Sequence, residues 1–452
     1  MSTVKIEPTE LPIPVRADMA EKPVGLIGFA RRAGRDLLSV IPEETRHQTY
    51  LKGPARIHYI CDPAMISEML VTRAAEFPKS QVTKNILGSA IGNGMLLSEG
   101  DVWKAQRKRY APLFAARNLP VLTRHFARTG QALADGIAGG EVDVAALAQE
   151  ATLTNITRAM FSGDDRVDPS EVREGLRRYN TYVGDMSLFD LMGLPAWVPR
   201  LKWLKSRAPV TRMRDLARQV IEGRQAEARS EPRDFLDLMI AALNEDGEDI
   251  EASIDNLLTF VVAGHETAAN TLAWGLYLLS IYPEAQQQLR AEVRAACGDR
   301  PVPFEALEKM PLLAAHVNET LRLYPAAAFT ARDVAQDGAL GDVALRKGDA
   351  LFLPIYALHR HEALWDEPQA YRPDRFLEHL PPRGQFIPFG DGPRVCIGAQ
   401  YARTEIMILL ASILRQIEVL PGAGTVPRPV VTFTLRPDGP LRLNLRQIGN
   451  GA

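Results

Sequence analysis

The stretch that decides the fold of this protein reads FGDGPRVCIG and occupies residues 389–398. It places one cysteine, Cys396, in a glycine-rich loop directly before a helical pattern that runs from Ala399 to Ile417. The first turn of a helix offers unpaired N–H groups and a partial positive charge, so this position is expected to lower the pKa of the thiol. The glycines allow the backbone to approach a flat, bulky partner closely. A lone cysteine is more often a small buried hydrophobe, so the loop alone leaves both interpretations open.

Arg394 lies two residues before Cys396 and adds a cation that would pair with a carboxylate on such a partner. A thiolate, a loop that permits close approach and a cation are together typical of a haem iron with an axial cysteine ligand. The loop therefore favours a haem-binding site.

The composition is that of ordinary globular material: 452 residues, of which 46% are hydrophobic and 24% are charged. A formal net charge of -2 argues against a dedicated nucleic-acid-binding protein. Cys61, Cys297 and Cys396 are far apart in the sequence. They form neither a disulfide framework nor a zinc-binding spacing, which fits a reducing compartment.

Two segments bear on the location of the protein. Residues 1–25 are polar and contain proline, and they lack the apolar core of a signal peptide. Residues 254–282 are strongly apolar, but His265, Glu266 and Asn270 interrupt them, and no run of about 18 apolar residues remains. We therefore expect a cytoplasmic protein without a transmembrane segment.

The chain divides by pattern into an arm and one large unit. Residues 1–25 predict an irregular N-terminal arm, and residues 26–452 predict a single domain. The middle of the chain, residues 102–324, is almost wholly helical in its hydrophobic period. Hairpin-like alternating stretches at residues 343–353 and 430–445 predict a small β portion. The expected fold class is mainly α.

Residues 71–98 show little regular pattern. A loop of that length in a compact protein often forms a lid or a pocket wall, which Ile86 and Leu87 would line. The pattern leaves open whether the loop around residues 78–92 closes on a ligand.

Trp103 and Arg107 are four residues apart and share one face of a predicted helix. Their indole N–H and guanidinium would together suit a carboxylate. A basic, solvated helix start with a packed tryptophan explains the same two residues.

The long helix predicted for residues 254–281 has an unusually small centre. Ala263 and Gly264 leave room where a core helix normally carries a large residue, and glycine there costs about 1 kcal/mol of helix propensity. Glu266 and Thr267 follow at once, and a carboxylate beside a hydroxyl could pass protons into a dry site. A kinked, closely packed core helix with a polar notch is the alternative.

A further helix is predicted at residues 311–324, where Glu319 and Arg322 can form an ion pair at i and i+3. Arg375, within the PDRF segment at residues 373–376, could complete a buried charge cluster with them. On a surface the pair would contribute under about 1 kcal/mol and would mean little.

Taken together, five segments resemble the cytochrome P450 family of haem-thiolate monooxygenases. They are WKAQR at residues 103–107, AGHET at 263–267, ETLR at 319–322, PDRF at 373–376 and FGDGPRVCIG at 389–398. Their order and separations are those of the family, and the resemblance covers nearly the whole chain. It implies the cytochrome P450 fold, a triangular helical prism with a minor β-rich region.

The resemblance also implies roles for individual residues. Cys396 would be the axial thiolate ligand of the iron of haem b. The other cofactor-binding residues would be Trp103, Arg107, Arg332, Phe389, Arg394 and Gly398. Glu266 and Thr267 would be the acid–alcohol pair that delivers protons to bound oxygen. The structural triad that supports the haem-binding core would be Glu319, Arg322 and Arg375.

By the same resemblance, the protein would hydroxylate or epoxidise a lipophilic small molecule such as a fatty acid, terpenoid, steroid or carotenoid. The substrate pocket would be lined almost entirely by apolar residues. They are Ile86, Leu87, Phe260, Ala263, Gly264, Ala327, Ala328, Phe433 and Leu435.

Electrons would come from NAD(P)H through a separate ferredoxin or flavodoxin and its reductase, because no flavin or iron–sulfur segment follows Leu445. A basic run predicts the docking site for such an acidic partner, and a solvated helix face is an equally fair explanation. The run consists of Lys104, Arg107, Lys108 and Arg109.

The chain departs at two points from patterns that are common in the family, the first of them a pattern of many soluble bacterial members. Arg394 stands where they often have histidine, as in microsomal and fatty-acid-hydroxylating members, and Ala268 stands where a second hydroxyl is common. A peroxide-driven peroxygenase or isomerase and a non-catalytic haem-binding sensor are the competing interpretations. Glu266 and Thr267 argue against both, because neither activity needs a proton relay.

Overall fold

The computed structural model describes residues 12–22, 24–25, 28, 32–54, 56–162, 166–168, 170–175, 201–227, 231–246, 249–298 and 300–448. Most of the regular structure is helical, which confirms the mainly α fold class. The helices are α1 (Pro63–Ser67), α2 (Gln81–Ile91), α3 (Gly100–Tyr110), α4 (Leu119–Gly136), α5 (Val144–Phe161), α6 (Leu201–Gln225), α7 (Phe235–Asp246), α8 (Ile250–Ile281), α9 (Pro283–Cys297), α10 (Pro311–Leu323), α11 (Ile355–Leu358) and α12 (Ala399–Gln416).

The strands are short and come from both halves of the chain. They are β1 (Tyr50–Lys52), β2 (Ile57–Ile60), β3 (Gly140–Asp143), β4 (Thr330–Asp333), β5 (Gly338–Leu340), β6 (Val343–Leu345), β7 (Ala350–Leu353), β8 (Ile417–Pro421), β9 (Pro429–Val431), β10 (Leu435–Pro437) and β11 (Arg442–Gln447).

Helix α8 is the central element, because α5, α9, α10 and α12 all pack against it. Most of its side chains from Ile254 onward are buried, as expected of a helix that is apolar nearly all round. Trp274 of α8 has no exposed surface and stacks on Tyr324, with the ring centroids 4.2 Å apart. Where the structure describes the chain, no helix combines the length and the apolarity needed to cross a bilayer.

The described strands form four small sheets. The largest has the order β1-β2-β7-β4, in which β2 and β7 run parallel and the other neighbours run antiparallel. A second sheet has the order β3-β11-β8 and joins the middle of the chain to its C-terminal part. The pairs β5–β6 and β9–β10 are two-stranded.

Both predicted hairpins pair differently from expectation. Strand β6 pairs with β5, while β7 lies between β2 and β4, so the two strands of the first stretch belong to different sheets. In the second stretch β9 pairs with β10, and β11 turns away to β3 and β8. Pro437 ends β10, since proline has no N–H to donate to a strand partner. Alternation locates a strand, but its partner depends on residues far away in the sequence.

The segment predicted as a loop at residues 71–98 contains helix α2. Ser80 begins this helix by accepting a backbone N–H from two residues onward at 3.3 Å, and Gly92 ends it with a φ of 56°. A serine cap and a glycine stop are ordinary helix signals. Leu87 and Ile91 are buried on one face of α2, so this part of the segment is a packed helix and not a loop.

The described part of the N-terminal arm contains no helix or strand, but hydrogen bonds with tyrosine hydroxyls connect it to the core. The N–H of Val15 donates to the Tyr277 hydroxyl at 3.0 Å, and the Val15 carbonyl accepts from the Tyr324 hydroxyl at 2.8 Å. The N–H of Ala17 donates to the Tyr356 hydroxyl at 2.9 Å. The division between arm and domain stays a prediction.

Two buried polar side chains, one from α5 and one from α12, lie beside each other in the core. Glu405 of α12 is 1% exposed and lies beside Asn155 of α5, which has no exposed surface. The Tyr401 hydroxyl has no hydrogen-bond partner in the described part of the chain. Burial raises the pKa of Glu405 to about 8, and the Asn155 amide opposes the rise. The carboxyl is therefore protonated in the folded protein at neutral pH.

The stability contributed at Glu405 should fall as the pH rises from 4.5 to about 8. In that window the unfolded chain releases the proton and the folded protein retains it, with a limiting slope of about 1.4 kcal/mol per pH unit. Glu405→Gln removes this titration, so the variant should gain stability relative to the parent as the pH rises. Chemical unfolding across this pH range measures the difference, with the exposed Glu308→Gln as control. A difference independent of pH would contradict the raised pKa.

Candidate active site

The loop before α12 holds Cys396 through its backbone. The Cys396 N–H donates to the Phe389 carbonyl at 2.9 Å, and a 3-10 turn at Gly392–Arg394 precedes the cysteine. Gly392 has a φ of 69°, and a Cβ there would lie 2.0 Å from the Leu70 carbonyl oxygen. The close approach of the protein's own backbone therefore requires glycine at this position. From the sequence, the glycines were expected to allow close approach to a bound partner and not to another part of the protein.

The Cys396 side chain is accessible although protein atoms surround it, as on the wall of a cleft. Burial raises the pKa of the thiol, while the Gly398 N–H, Arg107 and Lys79 oppose the rise. The expected lowering of the thiol pKa is thus wrong for the protein alone, because desolvation of a sulfur anion outweighs the helix terminus. A metal ion reverses this balance, since a coordinating thiol loses its proton.

The residues predicted to hold a cofactor lie together near this loop. Arg107 of α3 donates to the carbonyl immediately before the cysteine at 2.9 Å. The guanidinium carbon of Arg394 lies 4.0 Å from the centre of the Trp103 ring. Arg332 of β4 is 9% exposed, and burial followed by repulsion from Arg394 lowers its pKa to about 10. The structure therefore gathers these four side chains from three separate segments.

Sequence reasoning missed Lys79, which belongs to the same group. It forms an isolated β-bridge with Arg332. Burial, followed by repulsion from Arg332 and Arg394, lowers the pKa of Lys79 to about 7, and Glu99 opposes this shift. Glu99 also pairs with Arg394. No motif marks either residue, and Lys79 lies in the segment that was expected to be a loop.

The charges of this group fit a ligand that carries two carboxylates. Lys79, Arg107, Arg332 and Arg394 supply four cations, and among the described residues Glu99 is the one carboxylate that raises the pKa of three of them; burial lowers the pKa of each cation. Partly buried like charges repel one another unless an anion balances them. Haem has two propionates for the cations and an iron for the accessible thiol beside them. The residues present therefore fit haem.

The predicted acid–alcohol pair lies on α8, and a third side chain holds the acid. Thr267 Oγ1 donates to the Ala263 carbonyl at 2.8 Å. Glu266 Oε1 accepts from Thr434 Oγ1 at 2.6 Å, and Thr434 Oγ1 accepts from Asn270 Nδ2 at 3.1 Å. Burial raises the pKa of Glu266, and the hydrogen bond from Thr434 opposes the rise. The carboxyl therefore exchanges its proton closer to neutral pH than an exposed glutamate does.

Neither Thr434 nor Asn270 was among the predicted site residues. Asn270 lies one helical turn after Glu266, and that spacing was a signal that could have marked it as a neighbour. Thr434 lies between β9 and β10, far from α8 in the sequence and outside any motif, so the fold alone brings it to the carboxyl.

The comparison with known protein families decides the identity of this fold. The family model described as Cytochrome P450 matches residues 46–445. The chain belongs to the cytochrome P450 family. It is accordingly a cytochrome P450 monooxygenase, a class of enzyme that binds haem through a cysteine thiolate.

Individual relatives agree with the family match. Cytochrome P450 4F2 of Homo sapiens is 30% identical over 425 residues, covering 86% of this chain and 81% of that protein. Protein LUTEIN DEFICIENT 5, chloroplastic, of Arabidopsis thaliana is 26% identical over 402 residues, covering 83% and 67%. The crystal structure of a cytochrome P450, CYP102L1, superposes with a TM-score of 0.78 at 26% identity, covering 97% of this chain and all of that one.

Two residues predicted for the substrate pocket of this cytochrome P450 have packing partners in the core. Phe260 is 6% exposed, and its ring centroid lies 5.5 Å from that of Tyr110 and 5.2 Å from that of Phe235. A Cβ on Gly264 would lie 3.1 Å from Ile156 Cδ1 of α5. An aromatic core cluster therefore explains Phe260, and close helix packing explains Gly264. Their proposed contact with substrate also stays a prediction.

Other predicted pocket residues meet in a small apolar cluster. Ile86 and Leu87 of α2 pack with Phe433, which comes from the segment between β9 and β10. Val262 of α8 joins them, directly before Ala263. The cluster therefore brings α2 and the C-terminal segment against the part of α8 that carries the acid–alcohol pair.

The remaining predicted pocket residues lie where β10 meets the segment before β4. The Leu435 N–H donates to the Ala326 carbonyl at 2.9 Å. Leu435 and Ala328 are buried in the core, whereas Ala327, which directly precedes Ala328, is exposed. Their proposed contact with substrate stays a prediction.

The structural triad is brought together and is almost wholly buried. Arg322 donates two hydrogen bonds to Glu319, each of 2.7 Å, and neither side chain is exposed. Arg375 Nε lies 3.3 Å from Glu319 Oε2. Arg322 also donates at 2.8 Å to the carbonyls of His359, Pro368 and Ala370. The ion pair is therefore interior, where the loss of one partner is costly.

Glu319→Gln should lower the free energy of unfolding by about 3–5 kcal/mol, because it leaves Arg322 buried without its counter-charge. Denaturant unfolding followed by far-ultraviolet circular dichroism measures the loss. Glu308→Gln, the same change on the surface, should cost less than about 1 kcal/mol. Equal losses in the two variants would contradict a structural role for the buried pair.

Proposed function

We propose that this cytochrome P450 hydroxylates or epoxidises a lipophilic small molecule, using O2 and two electrons from a separate redox protein. The accessible Cys396 thiol beside an unbalanced group of buried cations carries the proposal. Such a site suits a haem whose iron takes the thiolate and whose propionates take the cations.

When bound, haem b supplies the iron at which dioxygen is activated, and a thiolate ligand raises its electron density. Cys396 would hold the iron, and the hydrogen bond from its N–H to Phe389 keeps the thiol in place. Lys79, Arg107 and Arg332 would orient the haem through its carboxylates, together with Arg394 and the Trp103 indole N–H.

Glu266 and Thr267 would supply protons in the reaction. The raised pKa of Glu266 suits a group that takes up and releases a proton near neutral pH. The Thr267 hydroxyl, held by the Ala263 carbonyl, would be the next donor. Thr434 would keep the Glu266 carboxyl in one orientation between transfers.

The substrate would be apolar, because the cluster of Ile86, Leu87, Val262 and Phe433 offers it apolar surface. A fatty acid, terpenoid, steroid or carotenoid fits this description. The name of the Arabidopsis relative refers to lutein, a carotenoid, which falls within the same chemical class.

Electrons would come from NAD(P)H through a ferredoxin or a flavodoxin and its reductase. Lys104 and Lys108 of α3 are exposed and one helical turn apart, so they can face an acidic partner. Arg107 of the same basic run is turned to the cysteine loop, which leaves Lys104, Lys108 and Arg109 for the proposed docking site.

Cys396→Ala should abolish the absorption band that the carbon monoxide complex of a thiolate-ligated haem shows. The variant removes the sulfur that would bind the iron, whereas Cys297→Ala, at a buried position on α9, should retain the band. Difference spectra of the reduced proteins measure both. A thiolate-type band in Cys396→Ala would mean that another residue binds the iron.

Thr434→Val should shift the pH dependence of coupling upward, because it removes the hydrogen bond that lowers the pKa of Glu266. Product formed per NAD(P)H consumed, with a fatty acid as test substrate, measures coupling across pH. Thr434→Ser retains the hydroxyl and should restore the parent profile. Thr267→Ala should instead divert electrons to peroxide at every pH.

An unchanged pH profile in Thr434→Val would show that Thr434 does not position the proton donor. If peroxide alone drives product formation faster than O2 and a reductase do, the protein acts as a peroxygenase and the proposed monooxygenase cycle is wrong.

Charge reversal at Lys104 and Lys108 should slow reduction by an acidic redox protein by about tenfold at low salt, and added salt should narrow the difference. Stopped-flow reduction at several ionic strengths measures the rate. Lys347→Glu, an exposed lysine in the turn between β6 and β7, is the matched control. Equal rates for the parent and the double variant would remove the docking proposal.

A further inference from the structure

A cavity of about 950 Å³ lies between the N-terminal arm and the core. Arm residues from Arg16 to Lys22 form one wall, and Arg46, Tyr356 and Arg360 contribute to the opposite wall. None of its lining residues belongs to the candidate haem site, so the cavity is separate from the active site.

Arg360 is the central feature of this cavity. It is 1% exposed, and its guanidinium carbon lies 3.8 Å from the centre of the Tyr356 ring and 5.8 Å from that of Tyr324. Stacking covers the face of a guanidinium but leaves its N–H donors, which lie in the plane. Two of these donors, Nε and Nη1, have no hydrogen-bond partner in the described part of the chain.

The charged side chains nearest to Arg360 do not neutralise its positive charge. Burial lowers its pKa, Tyr356 and Tyr324 oppose this shift, and the cations Arg322 and Arg46 add to it. Arg322 already has Glu319 as its counter-charge, and Arg46 is 2.8 Å from Glu43. A buried cation without a carboxylate partner is costly unless a ligand supplies the negative charge.

Other polar atoms on the same wall also have no partner among the described residues. They are the Nε of Arg46 and both amide atoms of Gln369. Each buried unpaired donor or acceptor costs about 1–3 kcal/mol. Three side chains in this condition line one cavity, and their unpaired N–H donors point to a ligand with several acceptor atoms.

The exposed rim of the cavity adds positive charge. Arg16 of the arm and Arg32 lie on it. Two of the acidic residues on the rim are already paired, Asp18 with Arg428 and Glu43 with Arg46. The field inside the cavity therefore favours an anion.

We propose that this cavity binds a compact tetrahedral oxyanion of the phosphate type, with Arg360 as its buried anchor and Arg46, Arg16 and Arg32 around it. Arginine donors suit phosphate oxygens, which accept several hydrogen bonds at once. The ligand would be either free inorganic phosphate or the phosphate of a lipid headgroup.

Such an anion would fasten the arm to the domain. The Tyr356 ring that stacks on Arg360 also accepts, through its hydroxyl, the hydrogen bond from Ala17 of the arm. An anion held between Arg360 and Arg16 would therefore add a second connection at the same place. Stability and protection of the arm should both increase when it binds.

The test uses the haem-loaded protein and inorganic phosphate at constant ionic strength. We expect phosphate to raise the thermal midpoint by about 2 °C and to slow tryptic cleavage after Arg16 several-fold. Arg360→Gln should abolish both effects. The exposed double variant Arg16→Ser/Arg32→Ser should lose more than half of the thermal shift, and it serves as the deciding variant if Arg360→Gln does not fold.

Arg346→Ser is the matched control, because Arg346 is exposed and lies outside the cavity. The Arg346→Ser variant should show the same phosphate-induced rise in thermal midpoint as the parent protein. If vesicles of phosphatidic acid protect the arm but inorganic phosphate does not, the cavity binds an oxyanion, and that oxyanion is the phosphate of a lipid headgroup. No shift with either probe, or the same shift in the parent and in the cavity variants, would overturn the proposal.

Discussion

The buried ion pair between Glu319 and Arg322 is the interaction on which the arrangement around the cysteine depends. Arg322 uses its remaining donors for three backbone carbonyls of residues 359–370, a segment without regular structure of its own at that point. Glu319 in turn accepts the backbone N–H of Arg372 at 2.7 Å and faces Arg375. One interior pair therefore fixes the path of the chain that leads into the cysteine loop. Its geometry compensates for desolvation because nearly every donor has a partner.

The cysteine region is subject to a second electrostatic constraint, which is repulsive where the ion pair is attractive. Lys79, Arg107, Arg332 and Arg394 are held close together by the fold, and their charges are not balanced by Glu99 alone. The protein therefore carries repulsion that an anionic cofactor relieves. Binding of such a cofactor and stability of the surrounding fold are coupled for this reason.

The segment between β9 and β10 connects two parts of the proposed chemistry. Phe433 packs in the apolar cluster proposed to contact substrate, and the next residue, Thr434, bonds to the Glu266 carboxyl. A displacement of this segment by a bulky substrate would change the environment of the proton donor as well. Because Phe433 and Thr434 are adjacent in the chain, one short backbone segment carries both contacts.

The sequence by itself determined the elements whose signals are local. The periods of α8, α10 and α12, the cysteine loop and the i, i+3 spacing of Glu319 and Arg322 all lie within short segments, and a continuous pattern suffices to find them. Tertiary structure decided what depends on distant residues. It chose the strand partners of β7 and β11, brought Lys79 and Thr434 to the site, and turned Phe260 into the core. It also raised the pKa of Cys396, because desolvation is set by all the atoms around a group and not by its neighbours in sequence.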